Sequence, residues 1–167
     1  MEIGLSLGSN LGDRLALLRE AGRRIACLQG VRILARSPVY ETDPIGARPE
    51  YASLRYLNAV LILEYSGDLE ALAAALRALE TAMGRQRSAD RNAPRSLDVD
   101  ILYAGELRRS DGVLDLPHPR WAERRFVLQP LADVRPHLKL PGARRTVAET
   151  LAALSAMGGV ERFADAW

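Results

Sequence analysis

Apolar and polar positions alternate along residues 2–8, EIGLSLG, with the two-residue period that sends successive side chains to opposite faces of a strand. The period then changes. Leu11, Leu15, Leu18, Gly22 and Ile25 recur at helical spacing, Ser9-Asn10 offers a cap ahead of them with Asp13 three positions beyond Asn10, and Gly30 is a suitable stop. Residues 31–40, VRILARSPVY, read as a second strand bent or interrupted at Pro38, whose ring removes a ladder donor. A long loop with Pro44, Gly46 and Pro49 leads to YLNAVLILEY at 56–65, a third strand; loops of that length are more often functional than idle. Asp68 then caps a helix in which Leu69, Leu72, Ala73, Leu76, Leu79 and Met83 form one apolar stripe, ended by Gly84.

Residues 85–95 have no apolar period and feed a fourth strand, LDVDIL at 97–102. ELRRSDGVLDL at 106–116 fits a short hairpin turning at Asp111-Gly112. The stretch from Leu116 to Pro136 mixes loop and helix, and Thr146-Val147-Ala148-Glu149 matches a capping box ahead of a last helix. The order strand, helix, strand, strand, helix, strand predicts an α+β fold. It is a ferredoxin-like βαββαβ sandwich, a mainly antiparallel sheet with two helices packed on one face, followed by a C-terminal hairpin and helix extension.

At 167 residues with 48% hydrophobic content, residues 1–167 are expected to form one domain with its own core. The single cysteine, Cys27, cannot close an internal disulfide and falls in the helical pattern as a small core residue, which points to a reducing compartment. The start of the chain lacks a basic segment followed by an apolar run, and no later apolar stretch approaches membrane-spanning length. The expectation is a cytoplasmic protein without a membrane partner.

Charge narrows the chemistry. Twenty-three basic residues nearly balance twenty-one acidic ones, yet lysine occurs once, at Lys139, so nearly all positive charge is guanidinium, the group that forks onto phosphate or carboxylate. Arg85, Arg87, Arg91 and Arg95 stand directly before PRSLDVDIL. There Leu97, Val99 and Ile101 occupy one parity and Asp98 and Asp100 the other, so both carboxylates leave one face about 6–7 Å apart at the backbone. Two readings fit: a half-solvated strand with an acidic outer face, or a cation site. On a nucleic-acid surface the aspartates would repel the phosphates that the arginines attract, whereas a divalent cation would reverse their local sign. Carboxylate-bound Mg²⁺ with guanidinium groups is the apparatus of phosphoryl transfer. The phosphate-binding loop GxxxxGK[ST] is absent, and two histidines with one cysteine make no structural zinc site. Aromatic residues are only 5% of the chain; Tyr56 and Phe126, if folding joins them, would stack on both faces of a flat heterocycle with Asn58 reading its edge, and otherwise belong to the core. His118 in LPHPR suits a phosphate, a hydroxyl or a loop contact.

In these stretches the chain resembles the 6-hydroxymethyl-7,8-dihydropterin pyrophosphokinases of folate biosynthesis. The resemblance rests on GSNLGD at 8–13, YETDPIG at 40–46, YLNAV at 56–60, the arginine segment with PRSLDVDIL, and PHPRWAERRFVLQPL at 117–131. It implies transfer of the pyrophosphoryl group of ATP to the 6-hydroxymethyl oxygen of the reduced pterin, leaving AMP. It implies that Asp98 and Asp100 hold two Mg²⁺ ions and that Arg85 and Arg95 act on the phosphates. Tyr56 and Phe126 would sandwich the pterin ring, with Asn58, Thr42, Pro44, Ile45 and Gly46 at its edge. Arg77, Glu80, Arg85, Arg87, Arg91, Arg95, Ile101, His118 and Arg124 would line the ATP side. ATP and reduced pterin would be the partners of a monomer, with no nucleic acid. The sequence departs from the family at Asn92-Ala93, where many members have Trp-Gly, at Pro119 in place of an aromatic residue, and at Asp43 in place of a proline. A ferredoxin-like RNA-binding module without catalysis is the competing reading; it lacks the aromatic RNA-binding signature, and the paired aspartates oppose it.

Overall fold

The alternating segment at the start of the chain forms β1 (Glu2–Ser9), the second strand of an antiparallel sheet. The structure is a computed structural model that describes residues 1–46, 48–85, 93–154 and 159–167. Among these residues β1 is followed by α1 (Arg14–Ala26), β2 (Val31–Arg36), β3 (Val39–Thr42), β4 (Tyr56–Tyr65), α2 (Leu69–Ala82) and β5 (Asp98–Ala104). Then come α3 (Arg125–Val134), α4 (Val147–Ala153) and β6 (Val160–Ala164). The sheet order is β5-β1-β4-β3-β6, and β2 also pairs with β4.

β2 and β3 lie end to end along β4, interrupted where Pro38 lacks a donor. Ser37 fills the gap: its N–H donates to Val60 O at 2.9 Å, and its Oγ accepts from Val60 N–H at 2.8 Å. Counted as one interrupted strand, β2 and β3 complete the expected βαββαβ order. The apolar stripes of α1 and α2 bury Leu18, Ile25, Leu72 and Leu76 against Leu5, Leu7, Leu61 and Val99 on one face of the sheet. Each such side chain, fully buried, stabilises the fold by about 2 kcal/mol. The C-terminal extension covers part of the other face, where Val127, Leu128 and Leu131 of α3 pack on Val60, Ile62 and Leu102.

Local expectations change in four places. Asp13, not Asn10, caps α1, accepting from Ala16 N–H at 3.0 Å. Cys27 is the exposed C-cap of that helix, not a core residue, because the turn after Ala26 carries it off the buried stripe. The hairpin over 106–116 is reduced to one bridge, Arg109 with Leu116, and its turn is wider than two residues because Asp111 Oδ1 accepts from Val113 and Leu114 N–H. β6, absent from the sequence reading, adds to the free edge of β3. Among the described residues no helix is long and apolar enough to cross a membrane.

A tight approach tests the packing of β1 on β5. A Cβ on Gly4 would lie 2.3 Å from the Tyr103 ring, which is 2% exposed and whose hydroxyl donates to Glu2 Oε1 at 2.7 Å. Gly4→Ala is therefore expected to destabilise the chain by about 1–3 kcal/mol. The check is the urea midpoint, and an unchanged midpoint would contradict this packing.

Candidate active site

Register decides which side chains share the site. Asn58 on β4 lies opposite Gly8 on β1, which lies opposite Asp98 on β5; one step along, Val60, Ser6 and Asp100 form the next row. Residues so paired project from one face. This is the face that α3 covers further along, so the sheet is apolar beneath α3 and small or polar beyond it. Gly8 and Ser6, both buried, put no large side chain between Asn58 and the aspartates, and a Cβ on Gly8 would come within 3.2 Å of Asn58 Oδ1. The expected split within LDVDIL holds: Leu97, Val99 and Ile101 are buried in the core under α1 and α2, while Asp98 and Asp100 open onto the other face.

Asp98 is held from both sides. Arg85 Nη1 donates to Oδ1 and Arg95 Nη1 to Oδ2, the latter at 2.8 Å. Arg85 also donates to Glu80, a buried carboxylate on α2 that accepts from Val99 N–H at 2.8 Å. Burial pushes the Glu80 carboxyl up, against the Val99 N–H and the Arg85 charge, which favour the anion. Arg95 is fixed through its main chain: its N–H donates to Asn10 Oδ1 at 2.7 Å and its carbonyl accepts from Asn10 N–H at 3.1 Å. Asn10 Nδ2 reaches Leu54 O at 3.4 Å, so one amide joins the end of β1, the base of the arginine segment and the approach to β4. Sequence reasoning took Asn10 for a helix cap; the only local signal of its role is a short amide in the GSNLGD turn.

Asp100 is more open. His118 Nε2 and Arg124 Nη1 lie 3.9 and 3.7 Å from its Oδ2. Desolvation raises the Asp100 carboxyl above its ordinary range, and the neighbouring Asp98 carboxylate adds to the shift. His118 Nδ1 accepts from Arg120 N–H at 3.1 Å, which leaves the Nε2 side toward Asp100, and its main-chain N–H donates to Leu102 O at 2.8 Å. Burial lowers the His118 pKa, opposed by Asp100. Among the described residues no group of three or more His, Cys, Asp or Glu forms a cage. Two carboxylates on one face suit Mg²⁺, which takes one or two carboxylates with water and phosphate oxygens. A cation there would also relieve the repulsion between Asp98 and Asp100.

Asn58, Thr42 and Tyr56 share one face of the sheet, and Phe126 packs on the apolar cluster of that same face. Asn58 Nδ2 donates to Thr42 Oγ1 at 2.7 Å, both buried, and Tyr56 lies opposite Thr42 in register and beside Gly8. Phe126 reaches this face from the first turn of α3, with the Arg124 guanidinium 5.6 Å above its ring. Pro44, Ile45 and Gly46 continue from β3, and Ile45 is 65% exposed. Arg77 is an exposed residue of α2, whereas Glu80, one turn further on, is buried. The Ile101 side chain belongs to the core on the face opposite the aspartates. Arg87 and Arg91, together with Asn92, lie outside the described residues.

Carboxylates and guanidinium groups thus gather at one end of a ferredoxin-like sheet. The family model described as 7,8-dihydro-6-hydroxymethylpterin-pyrophosphokinase matches residues 4–136. The chain belongs to that family. It is 39% identical to a 2-amino-4-hydroxy-6-hydroxymethyldihydropteridine pyrophosphokinase of Methylorubrum extorquens over 95% of this chain and 96% of the relative. A protein of the same name in Pseudomonas aeruginosa is 38% identical, over 97% and 96%. Among solved structures, Plasmodium falciparum HPPK-DHPS with pteroate aligns at a TM-score of 0.66 and 15% identity, over 90% of this chain and 42% of that one. At that identity the likeness shows the fold, and this chain spans less than half of the solved chain.

Proposed function

We propose that the chain transfers the β,γ-pyrophosphoryl group of ATP to the 6-hydroxymethyl oxygen of 6-hydroxymethyl-7,8-dihydropterin, giving the pterin diphosphate and AMP. The observation that supports this reading is the register row Asn58, Gly8, Asp98, in which an amide suited to reading a ring edge shares one sheet face with the paired carboxylates. The hydroxymethyl oxygen attacks the β-phosphorus, the bond from that phosphorus to the oxygen bridging the α-phosphorus breaks, and AMP leaves with the bridging oxygen. The hydroxyl proton passes to solvent. A loose transition state needs little prior deprotonation, so positioning and charge neutralisation carry the catalysis.

In this reading Asp98 and Asp100 would hold two Mg²⁺ ions, which would supply positive charge to neutralise the phosphate oxygens. Arg85 and Arg95 stabilise charge on the transferring group, and His118 and Arg124 serve the phosphates from the Asp100 side. Tyr56 and Phe126 stack on the ring; Asn58, Thr42, Pro44, Ile45 and Gly46 meet its edge. Arg77, Glu80, Arg87, Arg91 and Ile101 belong to the nucleotide side, Ile101 through its main chain. The catalytic unit is a monomer formed by residues 1–167.

The test is chromatography of a mixture of the chain, ATP, Mg²⁺ and the reduced pterin. One AMP formed per pterin consumed is expected; ADP in its place would overturn the assignment. Phe126→Ala removes one wall of the ring site and is expected to raise the pterin KM about tenfold or more while ATP binding stays near its original strength. An unchanged pterin KM would remove Phe126 from the site.

A further inference from the structure

Behind the proposed ring site, on the opposite face of the sheet, lies a charge cluster with no part in the chemistry above. The β3–β4 ladder ends with the pair Thr42 and Tyr56, and the chain then diverges into the loop whose first and last residues are Asp43 and Arg55. Where the next rung would stand, Arg55 Nε donates to Asp43 Oδ1 at 2.9 Å. The same guanidinium reaches Glu41 Oε2 at 2.7 Å and Glu161 Oε2 of β6 at 3.5 Å. Glu41 and Glu161 face each other in register across β3 and β6, an arrangement of like charges that repels unless a cation stands between them. Arg14 of α1 completes the cluster, pairing with Glu41 at 2.8 Å and donating to the Arg55 carbonyl at 2.8 Å. One guanidinium thus closes the neck of a loop, separates two opposed carboxylates and ties β6 to the sheet.

Alternation along the strands puts Thr42, Tyr56 and Asn58 on the ring side and Glu41 and Arg55 on the side of α1. We propose that Arg55 is a positioning residue for the substrate ring. It holds the two arms of the loop together from behind, so that Tyr56 and Thr42, with the Asn58 amide that Thr42 receives, keep one spacing on the ring side. The proposal rests on the reading of that side as a pterin site. The ion pairs are partly exposed, with the Arg55 side chain 30% accessible, and such pairs contribute little to global stability. Their effect falls on local geometry, and hence on ring affinity.

The experiment compares the pterin KM, the ATP KM, kcat and the melting temperature of the full chain with those of Arg55→Ala, Arg55→Lys and Asp43→Ala. Arg55→Ala is expected to raise the pterin KM about tenfold, with the ATP KM, kcat and melting temperature close to the original values. Arg55→Lys keeps the charge without the fork and recovers part of the loss. Asp43→Ala opens only the neck of the loop and gives a smaller rise in the same direction, which keeps the test open if Arg55→Ala folds poorly. An original pterin KM in Arg55→Ala, or a uniform loss in both KM values together with a large fall in melting temperature, would overturn the positioning role while the functional reading stands. A parent chain that releases no AMP in response to pterin would overturn both.

Discussion

Asp100→Asn is expected to lower kcat by at least about 10³-fold while the fold becomes no less stable at neutral pH. The two effects have opposite signs because the side chain is badly placed for stability. Desolvation and the Asp98 carboxylate both raise its folded-state pKa above the ordinary carboxylate value of 3.8. A group raised in this way contributes stability below its unfolded pKa and loses it as pH rises through the folded value. At pH 7 the ionised Asp100 is therefore a cost to the folded state, one that asparagine removes at nearly equal volume. The parent chain should lose stability relative to the variant as pH rises through the carboxylate range. Thermal melts of both proteins at several pH values, alongside single-turnover rates, check this pairing. A variant with near-parental turnover would remove Asp100 from the metal site, and a strongly destabilised one would make it structural.

The second large effect concerns Arg95, and it too has two signs. Arg85 and Arg95 together occupy both oxygens of Asp98, so a cation approaching Asp98 without nucleotide meets two guanidinium groups already there. In the proposed reaction phosphates would offer those groups a new partner, so that nucleotide and metal would arrive together at lower cost than metal alone. Arg95→Ala removes one guanidinium from Asp98 and leaves the main-chain bonds to Asn10 in place. It is expected to lower kcat by about 10³-fold, the scale on which an arginine stabilises transferring phosphoryl charge. It is also expected to tighten Mn²⁺ binding in the absence of ATP about fivefold, the scale of one partly exposed ion pair. Electron paramagnetic resonance titration with Mn²⁺ reads the second effect directly. Weaker binding of Mn²⁺ alone would show that Arg95 supports the cation site instead of competing with it.

Much of this was legible along the chain because it depends on neighbours in sequence. The parity of LDVDIL is a local property, and it separates the core-facing Leu97, Val99 and Ile101 from the two carboxylates before any fold is known. The stripe of α2, its Asp68 cap and the capping box of Thr146 and Glu149 are likewise set within one or two turns. What escaped depends on distant partners. Asn10 looked like a cap because its side chain suits one, but Arg95, 85 residues further on, offers it both a donor and an acceptor, and Asp13 takes the helix. Cys27 fitted the apolar period by one position too many, since the helix ends at Ala26. Only 2 of the 5 residues of β6, Val160 and Ala164, are even half-buried; its strand period is faint, and its existence depends on the open edge of β3. The Arg55 cluster joins α1, β3, β6 and the loop between β3 and β4 through charges that composition alone reports as ordinary surface residues. In the active site the sequence could name the arginines but not their partners: Arg85 and Arg95 meet on Asp98, whereas Arg77 is an exposed residue of α2.

The most direct measurement follows the phosphorus atoms. ATP labelled with ³²P at the β-position is incubated with Mg²⁺, the reduced pterin and either the parent chain or Asp100→Asn, and the label is located after separation of nucleotide from pterin. The β-label should appear in the pterin product of the parent chain, with AMP unlabelled, and the transfer should fall at least about 10³-fold in Asp100→Asn. A β-label that remains in ADP, or transfer that proceeds equally well without Asp100, would contradict pyrophosphoryl transfer at the acidic end of β5.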